Sequence, residues 1–220
     1  MMYNGNLSLP QQRRYEYSLK VAYKLASEKL RKMDIGEVCR RSGAVYWTKD
    51  KTELCLTFLK HKYIIKLSEI ELTSIDGKEQ ESLTLREKVL ILHYLISEHV
   101  IPMTGKSISF KELPEGMVYY PTFAKRTIDP FVKEFGGNPE GLIKAALKIG
   151  GREAKYGDVS VSIDSFPFIT IVLVLWKGDA EFPPAGSIMF DAGIAGYMST
   201  EDITVLCETV VWKLVKASNK

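Results

Sequence analysis

A chain of 220 residues, 45 % apolar and 26 % charged, is long enough to bury a sizeable core and has the balance of an ordinary globular protein. Its longest uninterrupted apolar run, Ile171 to Trp176, falls far short of the roughly 20 residues that cross a bilayer, and the N-terminus has no secretory pattern, so no membrane association is expected. Three scattered cysteines, Cys39, Cys55 and Cys207, without a C-x-x-C, exclude an iron–sulfur or zinc site built from this chain's thiols and fit the reducing cytoplasm, the expected location.

The net charge is +3 and unevenly placed: residues 1–66 carry 14 Lys and Arg against 6 Asp and Glu, and the remainder 16 against 21. Residues 11–34 read as a long amphipathic helix, with Tyr15, Leu19, Ala22, Ala26, Leu30 and Met33 on one face and Arg13, Lys20, Lys24 and Arg31 on another. "AVYWT", "ELCLTFL", "YIIKL" and "EIELTSI" follow as a meander of short antiparallel strands. Thr84 and Glu87 form a capping box opening the helix "LREKVLILHYLISEH". After a long connection, a helix is expected from about Tyr120 to Phe135, and another from Asn138 and Pro139 to Gly150–Gly151. Val159, Val161 and Ile163 mark a half-buried strand. "FITIVLVLW", apolar on both faces, should be a central strand covered on both sides, and "GSIMFD" makes one more strand. A final helix begins at Ser199 or Thr200 and runs to about Lys216. The fold class is α+β, a mainly antiparallel sheet packed with helices and a helical middle section. No linker rich in Pro, Gly or Ser divides it, so one domain over 1–220 is expected, with 11–34, 43–76 and 84–217 as its segments.

Familiar motifs fail on their context. "TGKS" at 104–107 has Val100 where a phosphate loop needs glycine, and it follows a helix rather than a strand. The Gly-Gly pairs sit where helices end in a left-handed residue. His61, His93 and His99 form no ligand pair, His93 reads as a core residue, and no G-x-S-x-G supplies a nucleophile. No metal ligand is assigned. Arg13, Lys20, Lys24 and Arg31, with Tyr17 available to stack, form an anion-binding candidate. Glu16 and Glu28 dilute the stripe, and a solvated face is the commoner reading, so nucleic acid is not the expected partner.

"LWKGDAEFPPAG", 175–186, brings Asp179 and Glu181 to one side of an extended segment. They are the catalytic candidates, as a metal-binding or acid–base pair. The alternative is a hairpin loop over 177–184 in which Asp179 accepts backbone hydrogen bonds, Phe182 folds onto the core and Pro183–Pro184 stiffen the return. Either way Asp191, at the far end of its strand, lies too distant to join the pair and approaches Asp164 and Ser165 instead.

Together "LREKVLILHYLI", "ISFKELPEGMVYY", "ALKIGG" and "LVLWKGDAEFPPAGSIMFDAGIAGYMSTEDI" resemble a bacterial and archaeal domain-of-unknown-function family, the one numbered thirty-seven eighty-six, over about residues 83–215. The family pattern has Gly-Asp-Glu-Glu-Phe-Pro where this chain has Gly178 to Pro183, so Ala180 replaces an acid and Asp179 and Glu181 are the positions that carry over. The resemblance implies no established activity. Some relatives carry an iron–sulfur domain like those of corrinoid and one-carbon proteins, which implies an accessory or ligand-binding role in anaerobic cofactor metabolism. The cofactor is unknown, and the partner is a small-molecule ligand or a cofactor protein. A ligand pocket is expected where the 102–123 connection meets the 177–184 loop, with Phe110, Lys111, Glu112, Tyr119, Tyr120 and Phe182 as its walls.

Overall fold

The computed structural model describes residues 9–75, 82–98 and 103–219. His99, one of the three histidines, lies outside them. Two compact units emerge: residues 1–57 with 61–97, and residues 58–60 with 98–220.

The first unit opens with α1 (Leu9–Leu30), whose Ala26 and Leu30 are buried. The helix expected to reach residue 34 stops four residues earlier, and α2 (Ile35–Ser42) begins in its place. Asp34 starts α2 as its N-cap, its carboxylate accepting the Glu37 N–H. Strands β1 (Val45–Tyr46), β2 (Glu53–Phe58), β3 (His61–Lys66) and β4 (Glu71–Ser74) form the expected antiparallel meander in sequential order. Helix α3 (Leu85–Leu95) carries the full Thr84–Glu87 capping box. It buries Val89 to Leu92 and Tyr94, whose hydroxyl donates to the Ser42 carbonyl at 2.8 Å. His93 is half-buried on this helix.

In the second unit β5 (Ser107–Ser109) runs into a 3-10 turn, Phe110–Glu112, and then α4 (Gly116–Arg126), α5 (Ile128–Phe135) and α6 (Pro139–Lys148) follow. Strands β6 (Arg152–Ala154), β7 (Val159–Phe166), β8 (Ile169–Trp176) and β9 (Ala185–Asp191) precede α7 (Ile194–Tyr197) and α8 (Thr200–Ser218). The antiparallel sheet has the order β5-β9-β8-β7-β6, so "FITIVLVLW" is the central strand. Cross-strand register puts Val161 opposite Leu173, Ile163 opposite Ile171 and Ile188 opposite Leu173. That face is fully buried, against α5, α6 and α8 with Phe131, Phe135, Leu142 and Leu206.

Several expectations need correction. The opposite face of β8 is not covered throughout: Val174 is buried, where Gly157 (φ +53°) lies so close that a Cβ would come within 2.6 Å of it, but Trp176 is 42 % exposed. An apolar strand therefore marks the centre of a sheet without guaranteeing two packed layers. The single helix expected over 120–135 is two, broken at Thr127 (φ −129°, ψ −61°), whose hydroxyl donates back to the Phe123 carbonyl at 2.8 Å. Of the glycine pairs, Gly150 is left-handed at φ +84°, whereas Gly136 is right-handed at φ −58°. Gly136 serves close packing instead, since a Cβ there would meet Pro184 Cγ at 2.8 Å. Among the described residues no helix is long and apolar enough to cross a membrane.

Candidate functional site

The residues around the α4 entrance are set by one close approach. Glu112 closes the 3-10 turn onto Ser109: its carboxylate accepts the Ser109 N–H at 2.8 Å and the Ser109 hydroxyl at 3.1 Å. These bonds, the backbone one first, hold the Glu112 carboxyl below the usual carboxylate range. Glu115 follows in a left-handed conformation (φ 59°), and Gly116 starts α4 directly against the Phe110 carbonyl, 2.0 Å from where a Cβ would stand. Only glycine permits that contact. It stacks Phe123 on Phe110 with ring centroids 3.8 Å apart and planes 12° from parallel.

Beside this stack is a pocket of about 160 Å³, lined by Ser109, Phe110, Lys111, Tyr120, Phe123, Ile128, Ser187 and Ile188. The Lys111 ammonium lies 4.2 Å from the Tyr120 ring centroid, within cation–π range. An enclosed cavity of about 150 Å³ holds one benzene molecule, so this half-open, partly polar space has room for about one ring.

The α4 wall is fastened to α8 by an ion-pair network. The Arg126 guanidinium donates to Glu208 (Nε to Oε2, 2.9 Å) and to Glu201 (Nη1 to Oε1, 3.0 Å). The Tyr119 hydroxyl donates to Glu201 Oε2 at 2.5 Å. Burial alone would lower the Arg126 pKa; the Glu208 and Glu201 charges outweigh it and raise the value. Burial first, and then the bond to Glu201, push the Tyr119 hydroxyl up. Glu208 is only 3 % exposed and lies 2.8 Å from Arg126 Nη2, so the pair is largely removed from solvent.

The structure thus brings Phe110, Lys111 and Tyr120 to one pocket. Tyr119 faces the α8 network and Glu112 turns back on Ser109, so neither lines it. Phe182 is 67 % exposed, against the expectation that it would fold onto the core: the loop is closed by its own backbone and by Pro184 lying against Gly178, which leaves no apolar recess for the ring. Asp179 and Glu181 stand in the exposed 177–184 loop. Asp179 Oδ1 accepts the N–H groups of Glu181 and Phe182, each at 2.8 Å, while its own N–H donates to the Phe182 carbonyl at 2.9 Å. The Phe182 and Glu181 donors hold its carboxyl below the usual range. Of the basic stripe, Arg13 and Lys20 are exposed, Lys24 lies 3.9 Å from Glu28, and Arg31 donates to the Glu69 carbonyl.

Sequence reasoning missed five of the pocket's eight residues, Ser109, Phe123, Ile128, Ser187 and Ile188, and the pair Arg126 and Glu208. The strand "GSIMFD" was legible but not its pairing with β5, and the arginine and its glutamate are 82 positions apart. The "TGKS" segment has a structural reason. Thr104 N–H and Oγ1 donate to Asp191 Oδ1 at 2.9 and 3.0 Å, and Gly105 N–H donates to Oδ2 at 2.7 Å, so the loop wraps a carboxylate of its own chain. Asp164, which Asp191 was expected to approach, is paired with Arg152 Nη1 at 2.6 Å. Among the described residues no group of three or more His, Cys, Asp or Glu gathers as a metal site.

These features define an α+β protein with a small aromatic-walled pocket beside a three-residue edge strand. Over residues 34–213 the chain matches the sequence profile of the family described as Domain of unknown function (DUF3786), and it belongs to that family. No curated protein and no solved structure matches it.

Proposed function

We propose that the chain is a small-ligand-binding accessory domain whose ligand occupies the pocket between β5, α4, the start of α5 and β9. The observation that carries this reading is the 160 Å³ space itself, whose lining combines aromatic, aliphatic and hydroxyl side chains with one ammonium. That combination orients a ligand as well as burying it. The size of the space favours a metabolite-sized ligand over a corrinoid. A link to anaerobic one-carbon metabolism, drawn from the family resemblance, therefore concerns a small metabolite or a partner protein.

An enzyme built on Asp179 and Glu181 finds less support. A carboxylate engaged by two backbone donors and held below its ordinary range is a weak base, and the loop around it is open to solvent. The test is thermal denaturation with two one-ring probes, benzoate and benzyl alcohol. A ligand of about nine non-hydrogen atoms at roughly 0.4 kcal/mol per atom binds with a Kd on the order of millimolar. At tenfold excess over that Kd, stabilisation is about 1.4 kcal/mol, a rise of a few degrees. Ser187→Phe, which fills the pocket, should abolish the rise. A rise that survives Ser187→Phe would place the ligand elsewhere and end this reading.

A further inference from the structure

We propose that the pocket selects a small monocarboxylate, its apolar body no larger than about one benzene ring. This assignment of ligand class rests on the pocket reading above and adds to it a sign of charge.

Of the eight residues lining the space, Lys111 is the one that carries a formal charge, and the other polar groups are the hydroxyls of Ser109, Tyr120 and Ser187. The carboxylate next to the site, Glu112, is withdrawn into the 3-10 turn, where both its contacts are to Ser109. Among the described residues no carboxylate pairs with the Lys111 ammonium, whose resting contact is the Tyr120 ring face. A cation on an aromatic face keeps N–H donors pointing away from the ring. An incoming anion therefore meets an ammonium with no carboxylate partner among the described residues; the Tyr120 and Ser187 hydroxyls share the lining, while the Ser109 hydroxyl already donates to Glu112.

The rest of the lining sets the other half of the ligand. Phe110, Phe123, Ile128 and Ile188 offer no polar side-chain atom, so an inorganic anion would leave these walls without a partner. A neutral ring would satisfy the walls and leave the ammonium where it is. A cation would be repelled by Lys111. A monocarboxylate with a compact apolar body uses both ends, the ring or branched chain against Ile128 and the Tyr120 ring, the partly exposed apolar groups of the lining, and the carboxylate toward Lys111. Because Lys111 is exposed, a charge-assisted hydrogen bond to it is worth up to about fivefold in affinity.

The experiment is a titration of the full chain, by calorimetry or by backbone amide shifts, with benzoate, benzyl alcohol and inorganic phosphate, repeated on Lys111→Gln. Lys111 is exposed, so this variant should fold as the parent does. The expected result is saturable benzoate binding, about threefold to fivefold tighter than benzyl alcohol, with phosphate weaker still. In Lys111→Gln the preference for benzoate should fall to about unity while benzyl alcohol binding is unchanged. If both ring probes bind the parent equally and Lys111→Gln changes neither, the pocket stands and the carboxylate preference is overturned. If phosphate binds as tightly as benzoate, the apolar half of the assignment is overturned. If neither ring probe binds, the pocket reading itself fails, and the ligand class with it.

Discussion

Replacing Arg126 with methionine removes the cation that ties α4 to α8 and leaves Glu208 on a buried helix face without its arginine. The Glu208 side chain is 5 % exposed and that of Arg126 20 %. Breaking a fully buried pair by deleting one partner costs about 3–5 kcal/mol, and the partial exposure of Arg126 lowers the expectation to about 2–4 kcal/mol. Glu201, 53 % exposed, adds less than about 1 kcal/mol to the loss. In urea, with a slope of roughly 1–3 kcal/mol per molar, the midpoint should fall by about 1–2 M. The assay is urea denaturation followed by circular dichroism, with hydrogen exchange of the α8 amides as the local readout. The double variant Arg126→Met, Glu208→Met should recover to within about 1 kcal/mol of the parent, because two apolar side chains then replace two charges. A single variant as stable as the parent, or a double variant no better than the single, would refute the reasoning that this network holds the pocket's α4 wall.

Two other substitutions test the frame. Gly116→Ala would force a Cβ to within 2.0 Å of the Phe110 carbonyl, so the start of α4 must move. A loss of about 1–3 kcal/mol or more is expected in thermal denaturation, together with loss of the benzoate response. Asp191 accepts from Thr104, Gly105 and Gly193; burial pushes its carboxyl up, but these bonds outweigh burial and hold it below the usual range. Its stabilising contribution is therefore complete above the unfolded value of about 3.9 and is lost as pH falls through the lower folded value. Asp191→Asn should cost about 1–2 kcal/mol at pH 7, and the urea midpoints of parent and variant should approach each other as pH falls below the unfolded value and through the lower folded one.

How much of this was legible in the sequence follows from the range of the interaction involved. The Thr84–Glu87 box, the Asn138 cap and the Ser199 cap are contacts of three residues, and each stands where the sequence places it. The hairpin loop at 177–184 follows from two adjacent strands, and so does the separation of Asp191 from Asp179. Helix α2 was missed although Asp34 and Glu37 have capping spacing, because the periodicity of α1 reads through Met33. Strands β5 and β6, three residues each, carry no period of their own and exist because β9 and β7 offer an edge. Arg126 with Glu208, and Lys111 and Tyr120 in one lining with Ser187, are tertiary facts that no local pattern encodes. Phe110, Lys111 and Tyr120 could be named in advance because aromatic and basic residues crowd one connection; that Glu112 and Tyr119 would turn away depended on the turn geometry.

The central claim is that a small ligand enters between β5, α4 and β9. The most direct measurement is the map of backbone amide shifts as benzoate is added to the full chain. Saturable shifts confined to Ser109–Lys111, Tyr120, Ile128 and Ser187–Ile188 are predicted. Shifts centred on Asp179–Phe182 or on α1, or the absence of any saturable shift, would contradict it.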